Sequence, residues 1–97
     1  MHAAAVRFEI RIPAAQSLKE KRAVVKHLSA ALVKAHQVSL AEVDHQDTWQ
    51  RCALGVAVVA SHPSQLDRIL HAVEEMIDRQ EDVELMSVFV SHFEEPA

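Results

Sequence analysis

A chain of 97 residues with a net charge of −4, one glycine and one cysteine has room for a single hydrophobic core, and one domain over residues 1–97 is expected. Lone Cys52 excludes an internal disulfide and any Cys-x-x-Cys metal or redox cluster, and lone Gly55 excludes a glycine-rich nucleotide cradle. The negative balance argues against a general nucleic-acid binder and against a reader of DNA sequence. The longest apolar run, 53–60, is far short of the roughly 20 residues a membrane-spanning helix needs. A soluble cytoplasmic protein is the expectation.

Along the chain, Val6, Phe8, Ile10 and Ile12 alternate with Arg7, Glu9 and Arg11, the pattern of a strand with one wet face. Pro13 ends that run. Ser17 followed by Glu20 has the spacing of a capping box and starts a helix, in which Leu18, Val25, Leu28, Leu32 and Ala35 form the apolar stripe. Residues 38–43 and 52–60 read as strands joined by the polar run Asp44 to Arg51, a hairpin with a charged tip. A second helix starts at Ser61-His-Pro-Ser, proline being tolerated in a first turn. Leu66, Ile69, Leu70, Val73, Met76 and Ile77 supply its buried stripe, and residues 83–93 form the last strand. The order strand, helix, strand, strand, helix, strand folds most economically as two right-handed crossovers. The expected fold class is therefore α+β, a ferredoxin-like βαββαβ domain with a four-stranded antiparallel sheet and two helices on one face.

Charge is unevenly distributed. Residues 1–51 hold eight Lys and Arg against five acids, and residues 52–97 hold two against nine. Lys19, Lys21, Arg22 and Lys26 form a basic stretch on the first helix, able to meet RNA phosphates or an acidic protein if it is more than a solvated face. In the hairpin, Glu42, Asp44, His45 and Asp47 have the chemistry for a metal or a proton relay, but one histidine is few for catalytic zinc, and a charged turn is the plainer reading. No cofactor and no metal are expected. Asp44 and His45, as strand neighbours, are expected to point to opposite faces. Trp49, Gln50 and Arg51 complete the tip, and Trp49 reads equally as an interface anchor or as a cap on the domain's own core. Cys52 reads as a buried small hydrophobe.

The fold invites comparison with RNA-recognition modules, which stack bases on aromatic residues of their central strands. Here the open face of the first strand offers Arg7, Glu9 and Arg11, and the third offers Ala53, Gly55, Ala57 and Val59, so no such platform is expected and RNA contact would be electrostatic. The third and fourth strands are apolar on both faces, which self-association through a face or an edge would cover.

Ser17-Leu-Lys-Glu-Lys-Arg22 after Ile12-Pro13, together with residues 41–51 and the run 54–59, resembles the YlxP-like family of small bacterial proteins of unknown function. The resemblance implies a ferredoxin-like fold and a bacterial cytoplasmic setting. The family's genes often lie among those for translation initiation factor two and ribosome-binding factor A, which implies a non-enzymatic accessory role near ribosome maturation, with ribosomal RNA or a ribosome-associated protein as partner. A homo-oligomeric interaction module is the alternative. An enzyme centred on His45 is the weakest of the three.

Overall fold

The computed structural model describes residues 1–96. The elements are β1 (His2–Arg11), α1 (Leu18–Ala35), β2 (Ser39–Asp44), β3 (Arg51–Ala60), α2 (Pro63–Asp78) and β4 (Glu84–Glu94). The strands form one antiparallel sheet in the order β2-β3-β1-β4. This is the expected ferredoxin-like arrangement, with boundaries within a residue or two of those read from the pattern.

Alternation decides which face is covered. Val6, Phe8 and Ile10 of β1 and Cys52, Leu54, Val56 and Val58 of β3 turn to the helices and are buried with Leu28 and Leu32 of α1 and Leu66, Val73 and Ile77 of α2. Each such side chain contributes about 1.5–3 kcal/mol by leaving water, and these central strands hold most of them. Ser17 caps α1 as its spacing predicts, its Oγ accepting from the Glu20 N–H at 3.1 Å, while the Glu20 carboxylate accepts from the Gln16 N–H at 2.6 Å. The Ala35 end of the expected α1 stripe is exposed, and a buried lysine, Lys21, stands on that stripe instead.

Two irregularities shape the sheet edges. Register shifts at Val43 in β2 and at Met86 in β4, each leaving one residue without an opposite partner, and such bulges bend the strand locally. Beyond Met86, β4 runs in unbroken register with β1 from Ser87 to Glu94. Gly55 lies opposite Ala41 in β2, and a Cβ there would stand 2.8 Å from Val43 Cγ1. Glycine is thus the residue that lets the bulged Val43 fold down across β3.

Candidate functional site

The candidate residues sort into a buried joint, a charged end of the sheet and an exposed apolar strand. The joint is Lys21. Its side chain is 0% exposed, and its Nζ lies 2.6 Å from Glu42 Oε2 while donating to the carbonyls of His45 at 2.9 Å and Gln46 at 3.3 Å. The contact with Glu42 is an ion pair rather than a directed hydrogen bond. An ammonium has three donors and no acceptor, so three oxygens of one hairpin fit it. This corrects the expected basic stretch. Lys21 is not on the surface, because it lies three residues after Leu18 and seven before Leu28 and so on the face that packs against the sheet. Lys19, Arg22 and Lys26 are exposed, fall on one helix face at spacings of three and four, and make no ion pair among the described residues.

The hairpin tip turns at His45, whose φ of 63° is left-handed, a conformation uncommon outside glycine, although histidine adopts it more often than most residues, as asparagine and aspartate do. That turn overrides strand alternation: Asp44 Oδ1 accepts the His45 N–H at 2.8 Å and lies 3.8 Å from His45 Nδ1. Asp44 and His45 are therefore neighbours, contrary to the expectation from strand geometry. Asp47 is exposed, and Trp49 is 51% exposed rather than a cap on the core. Gln50 donates from Nε2 to the carbonyls of Pro13 and Ala15, both at 3.2 Å, and so ties the loop after β1 to the hairpin. Among the described residues no group of three or more His, Cys, Asp or Glu side chains is placed to hold a metal.

Glu9 is the hub of the charged end. Its Oε1 accepts from Arg7 Nε at 2.8 Å, and its Oε2 lies 3.3 Å from His45 Nε2 and 3.6 Å from Arg51 Nη2. Neither Glu9 Oε2 nor His45 Nε2 makes a hydrogen bond, although both are buried. Arg7 also donates to Asp44 Oδ2 at 3.0 Å. Burial pushes the Glu9 carboxyl up, but the Arg7 hydrogen bond and the charges of Arg7, His45 and Arg51 outweigh it and hold the group below its ordinary value. The Arg7 hydrogen bond, then the His45 N–H, hold Asp44 down as well. Cys52 lies buried behind this end. Burial, then the neighbouring Glu42 carboxylate, pushes its thiol up to about 12, far from a nucleophile's range.

Depressed carboxylate values carry a pH signature. With folded values below unfolded ones, the stability contributed by Glu9 and Asp44 is complete above the unfolded value near 4 and is lost as pH falls through the folded values. Urea unfolding between pH 7 and pH 3 should show constant stability from these groups down to about pH 5 and a decline below it. Arg7→Gln should flatten that decline, and an unchanged acid limb in the variant would refute the assignment.

Away from the charged end the open sheet face becomes apolar. Phe89 and Phe93 of β4 and Val59 of β3 are 74%, 51% and 66% exposed, and a shallow hollow between Phe89 and Val43 has Ala5, Ala41, Gly55 and Ala57 on its floor. On the opposite face, α2 packs chiefly over β3 and β1, so a second hollow opens beside β4, lined by Leu70, Val88 and Val90 with Asp67, His71 and Glu74 on its rim. As a result β4 presents apolar side chains on both of its faces as well as an unpaired edge.

Comparison with known proteins places this geometry. The family described as Protein of unknown function (DUF503) matches residues 3–90. The chain belongs to that family. Its relative in Bacillus subtilis (strain 168), Uncharacterized protein YlxP, is 41% identical over 70 residues, covering 72% of this chain and 76% of the relative. Two de novo designed proteins share the fold. Foldit4 has a TM-score of 0.54 at 14% identity, covering 97% of this chain and 99% of its own. LFR1 1, a designed ferredoxin fold, has a TM-score of 0.53 at 15% identity, covering 100% and 89%.

In this DUF503 chain the two sequence motifs that resemble the YlxP-like pattern meet at one point. Lys21, from 17–22, is the residue that grips Glu42, His45 and Gln46 of the second motif. Their shared role in this fold is to fasten the hairpin to α1. The open face of β1 and β3 carries no aromatic residue, as expected, the one aromatic of these strands, Phe8, being turned to the core, but the open face as a whole is not without them, because β4 supplies Phe89 and Phe93. The contiguous Val88-Phe89-Val90 hid this: an apolar run does not say which of its members faces out.

Proposed function

We propose that this chain is a non-enzymatic interaction module that binds another polypeptide by strand addition along β4. The observation that carries the reading is the contrast between the two sheet edges. β2 is six residues long and its last three residues are a bulge at Val43 flanked by Glu42 and Asp44, devices that discourage pairing, whereas the bulge of β4 at Met86 lies near its start and leaves Ser87–Glu94 in unbroken register. β4 has eleven residues, no lysine, no proline, and no Asp or Glu between Glu84 and Glu94. A strand apolar on both faces has the composition of a sheet interior, yet it stands at the border. Strand addition satisfies the outward amides and carbonyls of β4 and covers Phe89 and Phe93 at the same time.

A photoreactive side chain at position 89 tests this. In cells, position 89 should give discrete covalent adducts with protein, whereas position 33, another exposed apolar site, on α1, should give none. Absence of adducts at 89, or an equal yield at 33, would overturn the reading.

A second reading, accessory contact with ribosomal RNA, is favoured by Lys19, Arg22 and Lys26 lacking acidic partners. Three phosphate contacts predict a fall of about two in log K per decade of salt. Binding to ribosomal particles that is absent at low salt, or that is unaffected by replacing these three residues with glutamine, would remove it.

A further inference from the structure

We infer that the strand added to β4 is the β4 of a second copy of this chain, running antiparallel about a two-fold axis at Val90, so that two four-stranded sheets become one of eight strands. The inference rests on the edge-binding reading above and names its partner. Three observations on β4 carry it, each concerning how the strand would fit itself.

The first is charge. Between Glu84 and Glu94 the strand has no acidic or basic residue except His92, so its natural complement is an equally uncharged extended segment, and β4 is such a segment. A partner strand of opposite charge would have nothing to meet. Centring the pair at Phe89 would set Glu84 of one copy against Glu94 of the other, a like-charge opposition that destabilises an antiparallel pair. Centring it at Val90 removes that clash, because Glu94 then faces Met86.

The second is shape. In the Val90-centred register each phenylalanine on the open face is opposite a serine: Phe89 faces Ser91 and Phe93 faces Ser87. Diagonal neighbours in an antiparallel pair lie about 7–8 Å apart, within reach of aromatic rings, so Phe89 of one copy meets both Phe89 and Phe93 of the other. Four exposed rings form one strip, with small hydroxyl residues leaving room between them.

The third is the other face. Because the register keeps like faces together, Val88 and Val90 of both copies adjoin beneath the hollow that α2 leaves uncovered. Two shallow hollows merge into one cleft along the two-fold axis, with the Asp67 and Glu74 rims of the two copies on opposite sides of it. No ion pair is formed, so the association holds as salt is raised, opposite in sign to phosphate binding.

The experiment uses the purified full chain. Sedimentation equilibrium should give the mass of two chains at moderate and at high salt, and Val90→Lys, which sets two ammonium groups opposite each other at the axis, should weaken association roughly tenfold or more. Val90 is 41% exposed and lies outside the core cluster, so the variant should keep the wild-type circular dichroism. The register is read separately: Val90→Cys should form an interchain disulfide on mild oxidation, since directly opposed Cβ atoms lie about 4.5–5.5 Å apart and a small shift brings them to the roughly 3.5–4.5 Å a disulfide spans, whereas Val33→Cys should not. Buried Cys52 does not compete. A wild-type chain of single-chain mass at every concentration overturns the inference, as does a dimer in which Val90→Cys links no faster than Val33→Cys. In either case adducts of a different protein at position 89 leave the edge-binding reading standing, while no adduct at all sinks both.

Discussion

Lys21→Met should lower the stability of the domain by about 3–5 kcal/mol. Removing the ammonium leaves Glu42 partly buried without its cation, and the carbonyls of His45 and Gln46 lose a shared donor. The loss comes chiefly from the uncompensated carboxylate, because replacing both members of a buried pair by apolar groups is often close to neutral. Lys21→Met combined with Glu42→Leu should therefore recover most of the deficit, leaving about 1–2 kcal/mol for the two orphaned carbonyls. Urea unfolding of the four proteins gives the double-mutant cycle. Additive losses would show that the pair is incidental, and that α1 and the hairpin are joined by packing alone.

Phe8→Ala should cost about 3–5 kcal/mol, and Phe89→Ser should change the stability of the isolated chain by less than about 0.5 kcal/mol. The two residues sit on adjacent strands, Phe8 against Val88 and Phe89 against Arg7, but face opposite sides of the sheet. Phe8 is 1% exposed at the centre of the core, so truncation leaves a cavity that the surrounding strands cannot close. Phe89 projects into water and supports nothing in its own fold. The pair separates residues that hold the domain together from residues available to a partner. Measured at chain concentrations low enough to keep the protein monomeric, a large loss on Phe89→Ser would mean that the open face belongs to this domain's own core.

The fold was legible in the sequence because local signals agreed. The alternation of Val6 to Ile12, the Ser17 cap and the stripe of α2 each pointed to the same element order, and chirality of the crossovers left one economical topology. The site was less legible for three particular reasons. Lys21 sits in a run of four charged residues, 19–22, with Lys26 one turn on, so its charge masks its place on the apolar stripe, although its spacing from Leu18 and Leu28 is there to be read. The approach of His45 to Asp44 depends on a left-handed residue that no composition signal announces, since histidine is tolerated in that conformation but is found in it only in a minority of cases. The Glu9 cluster draws its members from β1, β2, the hairpin and β3, and only the register brings them together. Phe89 and Phe93 were visible as apolar residues, but their outward direction follows from the pairing of β4 with β1 rather than from the run that contains them.

Amide hydrogen exchange measured across a range of chain concentrations tests most directly whether β4 is the surface that meets another molecule. Alternate amides of residues 85–93, those turned away from β1, should become more protected as concentration rises, while those of β2, residues 39–44, should exchange at a constant rate. Protection that is independent of concentration in β4, or that rises in β2 instead, would contradict the account.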